Sequence, residues 1–185
     1  MQGYNAKDMA RSFRTVRMNT IKVAEDIPED QYGYRAAPEL KTVAETLAHI
    51  ATVTRFPQRV HSERITVASM GQFRSAMAEI AQEIAALTTK AQILEALRKN
   101  GEDFAAWLET ASDEMLAEKV EFAPPLQQPP KTRFEILLGV KEHEMHHRAQ
   151  LMLVERMLGI VPHLTREREA FMAEIQKQQA GAAGA

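Results

Sequence analysis

The spacing of apolar residues predicts helices along most of the chain. Over residues 7–26 they recur at intervals of three and four, which is typical of a helix that buries one face. The apolar positions of this first helix are Met9, Phe13, Val16 and Val23. Residues 27–40 contain two prolines and a glycine and are predicted to form a long connection.

Three further helices follow from the same periodicity. One begins near Thr42, and its apolar positions are Val43, Leu47, Ile50 and Val53. Pro57 should kink this helix, end it or start a further turn, because proline cannot donate a backbone hydrogen bond inside a helix. The other two helical stretches cover residues 73–87 and 91–110.

Residues 123–130 carry four prolines and are predicted to form a stiff, extended linker. The length of this linker suits a crossover that returns the chain to the far end of a helical bundle. Thr132 is the predicted N-cap of the next helix, and Glu135 completes a capping box. That helix should run to about Leu158, where Gly159 and the nearby Pro162 end it.

A last amphipathic segment is predicted over residues 165–179, and residues 181–185 should be frayed. No strand-like alternation and no internal repeat is visible in the sequence. The pattern therefore predicts an all-α protein, a bundle of four main helices with additional short helices.

Three arginines lie three residues apart on the first predicted helix. We interpret Arg11, Arg14 and Arg17 as a solvated basic face rather than as a phosphate site.

Composition narrows the class of protein. The chain has 185 residues, which suits one domain, and 45% of them are hydrophobic. It contains no cysteine, which excludes disulfides, thiolate ligands and a cysteine nucleophile. The net charge of −2 argues against a nucleic-acid partner bound through bulk charge. No apolar stretch has the length of a membrane span, and no signal peptide is visible, so we expect a cytoplasmic protein.

Residues 143–147 read His-Glu-Met-His-His and concentrate more metal-binding chemistry than any other stretch. On a helix, His143 and His147 lie one turn apart and about 40° apart around the axis, so one cation can bind both rings. Two neutral nitrogens hold a metal weakly, and a third ligand must come from elsewhere.

Three other histidines could supply that ligand. His49 is the best placed, because it lies among small and apolar residues of a predicted helix, where a buried imidazole needs a partner. His61 lies in a charged stretch and is predicted to be exposed to solvent. His163 is predicted to lie in a loop, with a structural or surface role.

The face that carries His143 and His147 is interpreted as the inward stripe of a bundle helix. Its other members are Ile136, Gly139, Gln150 and Val154. Gly139 should leave space beside the metal. His146 points about 60° to the other side of His143, so we expect it to face a substrate, an interface or the ligands themselves rather than the metal.

Two other metal sites fit parts of the sequence less well. His-Glu-x-x-His is the zinc-protease motif, with Glu144 as general base and Glu167 or Glu169 as a downstream ligand, but no sheet is predicted upstream. A di-metal carboxylate bundle needs a second Glu-x-x-His, whereas Glu45 and His49 are four residues apart.

Two elements of the chain form a recognisable pair: His49 within Ala-Glu-Thr-Leu-Ala-His-Ile at 44–50, and His-x-x-x-His-Arg-Ala-Gln-Leu at 143–151. In these two elements the chain resembles the DinB/YfiT-like family. The order of the helices between the two elements also matches, and the resemblance covers roughly residues 5–160. It implies a four-helix bundle of up-down-down-up topology that dimerises.

The same resemblance implies a divalent metal held by His49, His143 and His147. Zinc or nickel is expected first, with manganese or iron as further candidates. Related proteins use low-molecular-weight thiols in transferase or isomerase reactions. We expect residues 1–163 to form the DinB-like bundle, and residues 164–185 to add a C-terminal helix and a frayed tail that could cover the site or extend a homodimer interface.

The expected function is a metal-dependent hydrolase or thiol-dependent transferase that acts on a small molecule, because three neutral imidazoles leave a coordination position open for water or a thiolate. Glu144 is the candidate proton acceptor, although a solvent-facing glutamate is the ordinary alternative. Arg148 and His146 are candidate substrate-binding residues, and a helix salt bridge is the alternative for Arg148. Glu45, one turn before His49, could orient that ring.

The rival function is a non-catalytic, dimeric helical module with a structural metal. A structural site is closed by a fourth protein ligand, for which His146 or His163 are the candidates.

Overall fold

Eight α-helices account for most of the described chain. The computed structural model describes residues 3–126 and 128–183, the last three of these by their backbone alone. The helices are α1 (Ala6–Asp26), α2 (Val43–Thr52), α3 (Arg55–Ser62), α4 (Met70–Ala86), α5 (Lys90–Leu108), α6 (Asp113–Ala117), α7 (Arg133–Met157) and α8 (His163–Ala183). A 3₁₀ turn covers Glu29–Gln31 in the predicted long connection. Among the described residues, none of these helices combines the length and the apolar run that crossing a bilayer requires.

Side-chain capping begins most of the long helices, as the sequence indicated for α7. Thr132 accepts from the backbone of Glu135, whose carboxylate accepts from the backbone of Thr132. The same reciprocal pair of bonds begins α1, α2, α4 and α5. At the other end of α7, Gly159 has a φ of +78°, and Ile160 donates its N–H to the carbonyl of Glu155. This is a Schellman ending, and it confirms Gly159 as the stop of the helix.

Helices α1, α2, α5 and α7 form the bundle. Helices α1 and α5 are antiparallel, because Arg14 pairs with Glu102 and Glu25 pairs with Arg98. Helices α2 and α5 both begin where α1 ends. There, one buried cluster joins Ile27, Val43 and Ile93.

Helix α7 runs parallel to α1. Near the start of both helices Tyr4 packs edge-on against Phe134, and further along Arg17 pairs with Glu144. The four directions are therefore up, down, down and up in chain order, which confirms the predicted fold class. The four apolar positions predicted for the first helix are all buried, namely Met9, Phe13, Val16 and Val23.

Three short strands correct the expectation of a chain without strands. They are β1 (Val67–Ala68), β2 (Lys119–Phe122) and β3 (Lys131–Thr132). Strand β1 pairs parallel to β2, and β2 pairs antiparallel to β3. Segments of two to four residues are too short to show the alternation by which a strand is recognised in a sequence.

The proline-rich segment 123–130 is not the predicted crossover. Val120 on one side of it pairs with Lys131 on the other, so the chain returns to the place it left. The error has a physical reason, because prolines indicate that a segment is not helical but do not determine where its two ends lie.

Helices α3 and α8 differ in part from what the sequence predicted. Pro57 starts a further helix, since it lies in the first turn of α3. Helix α8 begins at His163 and continues to Ala183, beyond the predicted segment. Residues 184 and 185, on which the end of the predicted frayed tail falls, lie outside the described residues. The division at residue 163 stays a prediction.

Arg17 lies at the centre of the bundle, which corrects its interpretation as part of a solvated face. Its side chain is buried, and it donates to Glu144 of α7 at 2.9 Å. It also donates to the carbonyl of Leu97 in α5 at 2.8 Å and to that of Ile50 in α2 at 3.1 Å. One guanidinium on α1 therefore binds the other three helices. The predicted exposure to solvent is observed for Arg11.

Gly101→Ala tests how tightly this arginine is held. An added Cβ would lie 2.8 Å from Cγ of Arg17, which cannot move away because its guanidinium is bonded to three helices. We expect the free energy of unfolding in urea to fall by about 1–3 kcal/mol. Gly139→Ala is the matched control, because its Cβ would meet nothing within 4 Å. Equal stability changes in the two variants would contradict this account.

Glu155 generates a prediction for the dependence of stability on pH. Its carboxyl is buried, and neither oxygen has a hydrogen-bond partner among the described residues. Burial, and then the charge of Asp26, raise its pKa from 4.5 to about 7. Because the folded-state pKa is the higher one, the stability that the protonated carboxyl contributes is complete below pH 4.5 and is lost as the pH rises through 7.

Glu155→Gln keeps the neutral shape of this side chain. We expect the variant to match the wild type at pH 5 and to be more stable by about 2 kcal/mol at pH 8, measured by urea denaturation. Glu169→Gln, at an exposed glutamate of α8, is the control. A gain of the same size at both pH values would show that the carboxyl does not titrate as described.

Candidate metal centre

Three imidazoles from two antiparallel helices meet beside the bundle core. His49 lies on α2, and His143 and His147 lie one turn apart on α7. Nε2 of His143 is 3.3 Å from Nε2 of His49 and 3.2 Å from Nε2 of His147. The three nitrogens all lie within 4.8 Å of one another. The structure thus brings together the three residues that the sequence selected.

The spacing of these nitrogens fits a shared divalent cation. Zinc–nitrogen bonds of about 2.0–2.1 Å in a tetrahedral arrangement separate two ligand nitrogens by roughly 3.3 Å. Hydrogen bonding explains the contacts less well, because Nε2 of a neutral imidazole carries either one proton or one lone pair. His143 therefore cannot make a full hydrogen bond to both neighbours, whereas one cation would satisfy all three rings.

Burial keeps the three rings in the neutral form that binds metals. The pKa of His49 is lowered to about 4, first by burial and then by the neighbouring His143 and His147. Burial is also the main cause that lowers the pKa of His143 and of His147. At neutral pH each ring therefore has a lone pair to offer.

Gln150 orients one of the ligands. Nδ1 of His147 lies 2.9 Å from Oε1 of Gln150, one turn further along α7. An amide oxygen only accepts, so Nδ1 of His147 is the donor and its Nε2 carries the lone pair. The sequence placed Gln150 on the same face but did not identify this bond.

Glu144 does not face the imidazoles, which corrects both interpretations of this residue. It is neither a proton acceptor beside the metal nor a solvent-facing glutamate. Its carboxylate is buried, and both oxygens accept from Arg17 on α1. The signal was present in the helical spacing, because residue 144 lies about 100° around the axis from His143.

Two other residues were proposed to bind the substrate: Arg148 points away from the imidazoles, whereas His146 packs edge-on against His147 with ring centroids 5.2 Å apart. Arg148 turns towards α1, where it donates to the carbonyl of Val16 at 3.4 Å. His146 is exposed, with Nε2 3.2 Å from the amide of Gln150. The structure gives no support to substrate binding by Arg148 or His146.

Glu45 does not orient His49. Its carboxylate caps α2 through the backbone of Thr42 and pairs with Arg35.

His61 and His163 were placed wrongly by the sequence. His61 is fully buried, not exposed, and its Nδ1 faces Arg133 at 3.1 Å. His163 is not in a loop but begins α8, where it is buried with Nε2 3.3 Å from the amide oxygen of Asn19. Neither His163 nor His146 belongs to the metal-ligand group found among the described residues, so no fourth protein ligand closes the site there.

The structure does not have the arrangement that the zinc-protease motif would require. The third imidazole is His49, from upstream in the chain, and Glu144 is bonded to Arg17. Glu167 of α8 pairs with Lys22 instead of approaching the imidazoles.

Two cavities flank the imidazoles. The apolar one has a volume of about 370 Å³. Its lining residues are His49, Val53, Phe56, Pro57, Val60, His61, Ala68, Phe73, Met77, Val120, Phe122, Ile136, Gly139, Val140 and His143. A second cleft of about 440 Å³ lies beside His147 and includes Lys41 and Gln150.

The ligand-bearing face of α7 therefore lines clefts and is not the buried face of the helix. Ile136 and Gly139 line the apolar cavity, and Gln150 and Val154 line the second cleft. The core face lies to one side of it, and it carries Leu137 and Leu151 among others. Gly139 does leave open space, as predicted, because a Cβ there would meet nothing within 4 Å.

Known proteins share the fold of this chain. A family model described as the DinB superfamily matches residues 12–151. YfiT from Bacillus subtilis, described as a probable metal-dependent hydrolase with an unusual four-helix bundle topology, is similar with a TM-score of 0.66 and 16% identity, over 86% of this chain and 91% of that chain.

Two further solved structures are similar to this one. The DinB-like protein YjoA from Bacillus subtilis has a TM-score of 0.62 and 22% identity, over 82% of this chain and 91% of that one. A DinB-like protein from Bacillus cereus has a TM-score of 0.64 and 17% identity, over 84% of this chain and 93% of that one. No curated protein sequence matches the chain. At these identities the likeness shows the fold.

Gln150→Leu tests whether the amide supports a metal ligand. Without the acceptor for Nδ1, the ring of His147 loses its fixed orientation, and we expect the affinity for zinc to fall about 10-fold in competition with a chelating dye. Gln150→Glu keeps an oxygen at the same reach and should retain most of the affinity. Equal affinities in all three proteins would show that the bond to Gln150 does not matter for the metal.

Proposed function

The chain belongs to the DinB superfamily, and we propose that it is a metal-dependent hydrolase or thiol-dependent transferase acting on a small molecule. Its metal ligands in this proposal are His49, His143 and His147. One observation carries it, namely three neutral Nε2 atoms gathered between two cavities. Among the described residues, no other histidine, aspartate or glutamate joins that group.

A divalent metal bound there would supply a Lewis acid and lower the pKa of a coordinated water towards neutrality. Zinc and nickel suit imidazole ligands, iron also does so, and manganese is the weakest candidate because it prefers oxygen ligands. An open coordination position is the property that separates a catalytic site from a structural one, because structural zinc sites are closed by four protein ligands.

The apolar cavity supports the binding of a small substrate next to the metal ligands. Its walls come from α2, α3, α4, α7 and the strands, and they place apolar side chains beside His49 and His143. Of the described residues that line it, none is a carboxylate. Acid–base chemistry in this cavity would therefore depend on the metal and on imidazoles.

The second cleft supports the transferase alternative. Lys41 lines it together with His147, and its charge contributes to lowering the pKa of that ring. A low-molecular-weight thiol that carries a carboxylate suits this cleft, because Lys41 can pair with the carboxylate. The hydrolase alternative is supported by the similarity in fold to YfiT. The homodimer and the cytoplasmic location stay predictions.

Metal content tests the proposal directly. Protein purified without a polyhistidine tag should contain about one divalent ion per chain by elemental analysis, and His49→Ala should lose it, because two imidazoles hold a metal weakly. His146→Ala is the control and should retain the ion, since it removes an imidazole outside the ligand group and leaves the bond between Gln150 and His147 in place.

Activity follows as the second arm of this experiment. The loaded protein should hydrolyse small apolar esters or transfer a thiol to a small electrophile, and His49→Ala should do neither. A wild-type protein that takes up no zinc, nickel, manganese or iron would refute the metal-dependent function. A protein that binds metal but shows no activity on either substrate class would leave a structural metal.

A further inference from the structure

The apolar cavity contains one polar group that the metal site does not use. Twelve of its fifteen described lining residues are apolar, and the other three are histidines. Two of these, His49 and His143, belong to the proposed ligands. The third is His61, which comes from α3.

Contacts on one side of the ring determine the tautomer of His61. Its Nδ1 lies 3.1 Å from Nη1 of Arg133. A guanidinium only donates, so Nδ1 is the acceptor and the proton of the neutral ring is on Nε2. Arg133 is fully buried and is itself held by Glu118 at 2.9 Å, so this orientation is fixed. Burial, and then the charge of Arg133, lower the pKa of His61 to about 4, which keeps the ring neutral.

The other nitrogen of this ring lacks an acceptor. His61 is fully buried, and within the described part of the chain Nε2 has no hydrogen-bond partner. A buried donor left without an acceptor is costly, and native proteins rarely keep one. His61 itself is one of the residues that line the cavity, and the other lining residues are apolar apart from the two proposed metal-binding rings.

We infer that the cavity binds a small, mainly apolar molecule with an oxygen that accepts a hydrogen bond from Nε2 of His61. The apolar body of this molecule packs between aromatic walls, where Phe56 and Phe73 meet edge-on with ring centroids 5.4 Å apart. The inference rests on the proposed function, because it places the reacting end of the molecule beside His49 and His143. It makes His61 a specificity-determining residue that selects a carbonyl, ester or ether oxygen.

Two probes of the same shape test this inference. Acetophenone and α-methylstyrene differ only in a carbonyl oxygen against a methylene group. Their dissociation constants are measured by calorimetry on the full chain after the metal has been removed with a chelator. Working without metal separates the hydrogen bond to His61 from any interaction of the carbonyl with a cation.

The informative quantity is the ratio of the two dissociation constants, α-methylstyrene over acetophenone. We expect this ratio to fall about 5- to 10-fold in His61→Leu, because one neutral hydrogen bond is lost and the hydration of the two probes cancels. Phe73→Leu is the control, since it alters the cavity wall without removing a donor, and its ratio should stay within about twofold of the wild type. His61→Gln retains an N–H donor and should recover part of the ratio.

A second measurement decides the matter if His61→Leu does not fold. In wild-type protein with ¹⁵N-labelled histidine, the Nε2–H resonance of His61 should shift on addition of acetophenone and stay in place with α-methylstyrene. An unchanged ratio in a folded His61→Leu, an equal shift with both probes, or no binding of either probe would overturn the inference. Loss of the metal site alone would refute the proposed function and leave these results unaffected.

Discussion

The buried ion pair between Arg17 and Glu144 determines how the four bundle helices meet. Arg17 leaves α1 and bonds to α2, α5 and α7 at once. Transfer of two charges from water into a protein interior is costly, and good geometry with further hydrogen bonds is needed to offset that cost. Arg17 meets this requirement, because two backbone carbonyls accept further hydrogen bonds from its Nη1 and Nη2. Removing either partner would leave an uncompensated charge at the centre of the bundle.

This pair also fixes the relative position of the proposed metal ligands. Glu144 is the neighbour of His143, and Ile50 is the neighbour of His49. The guanidinium therefore binds α7 and α2 one residue away from the rings that these helices carry. Gly101 belongs to the same arrangement, because the side chain of Arg17 occupies the space that a Cβ at residue 101 would need. The imidazoles lie at a cleft, but their separation depends on contacts in the dry interior.

Local signals explain what could be predicted from the sequence. Helix periodicity, the capping residues and Gly159 act within a few residues, and they gave α1, α2, α5 and α7 to within a few positions. The meeting of three imidazoles was also predictable, because His143 and His147 share a turn and His49 lies on an otherwise apolar helix. The burial of Arg17 and of His61 was not predictable in this way. Each depends on a partner at least 70 residues away in the chain, Glu144 and Arg133 respectively.

The walls of the apolar cavity come largely from outside the four bundle helices. Helices α3 and α4 and strand β2 contribute Phe56, His61, Phe73 and Phe122, whereas the three imidazoles come from α2 and α7. The bundle helices thus hold the three imidazoles in place, and the elements attached to the bundle supply most of the cavity wall beside them. Substitutions in residues 55–77 and 119–122 would change the cavity wall without altering the Arg17–Glu144 pair or the three imidazoles. The shape of the cavity and the spacing of the three histidines can therefore change independently of each other.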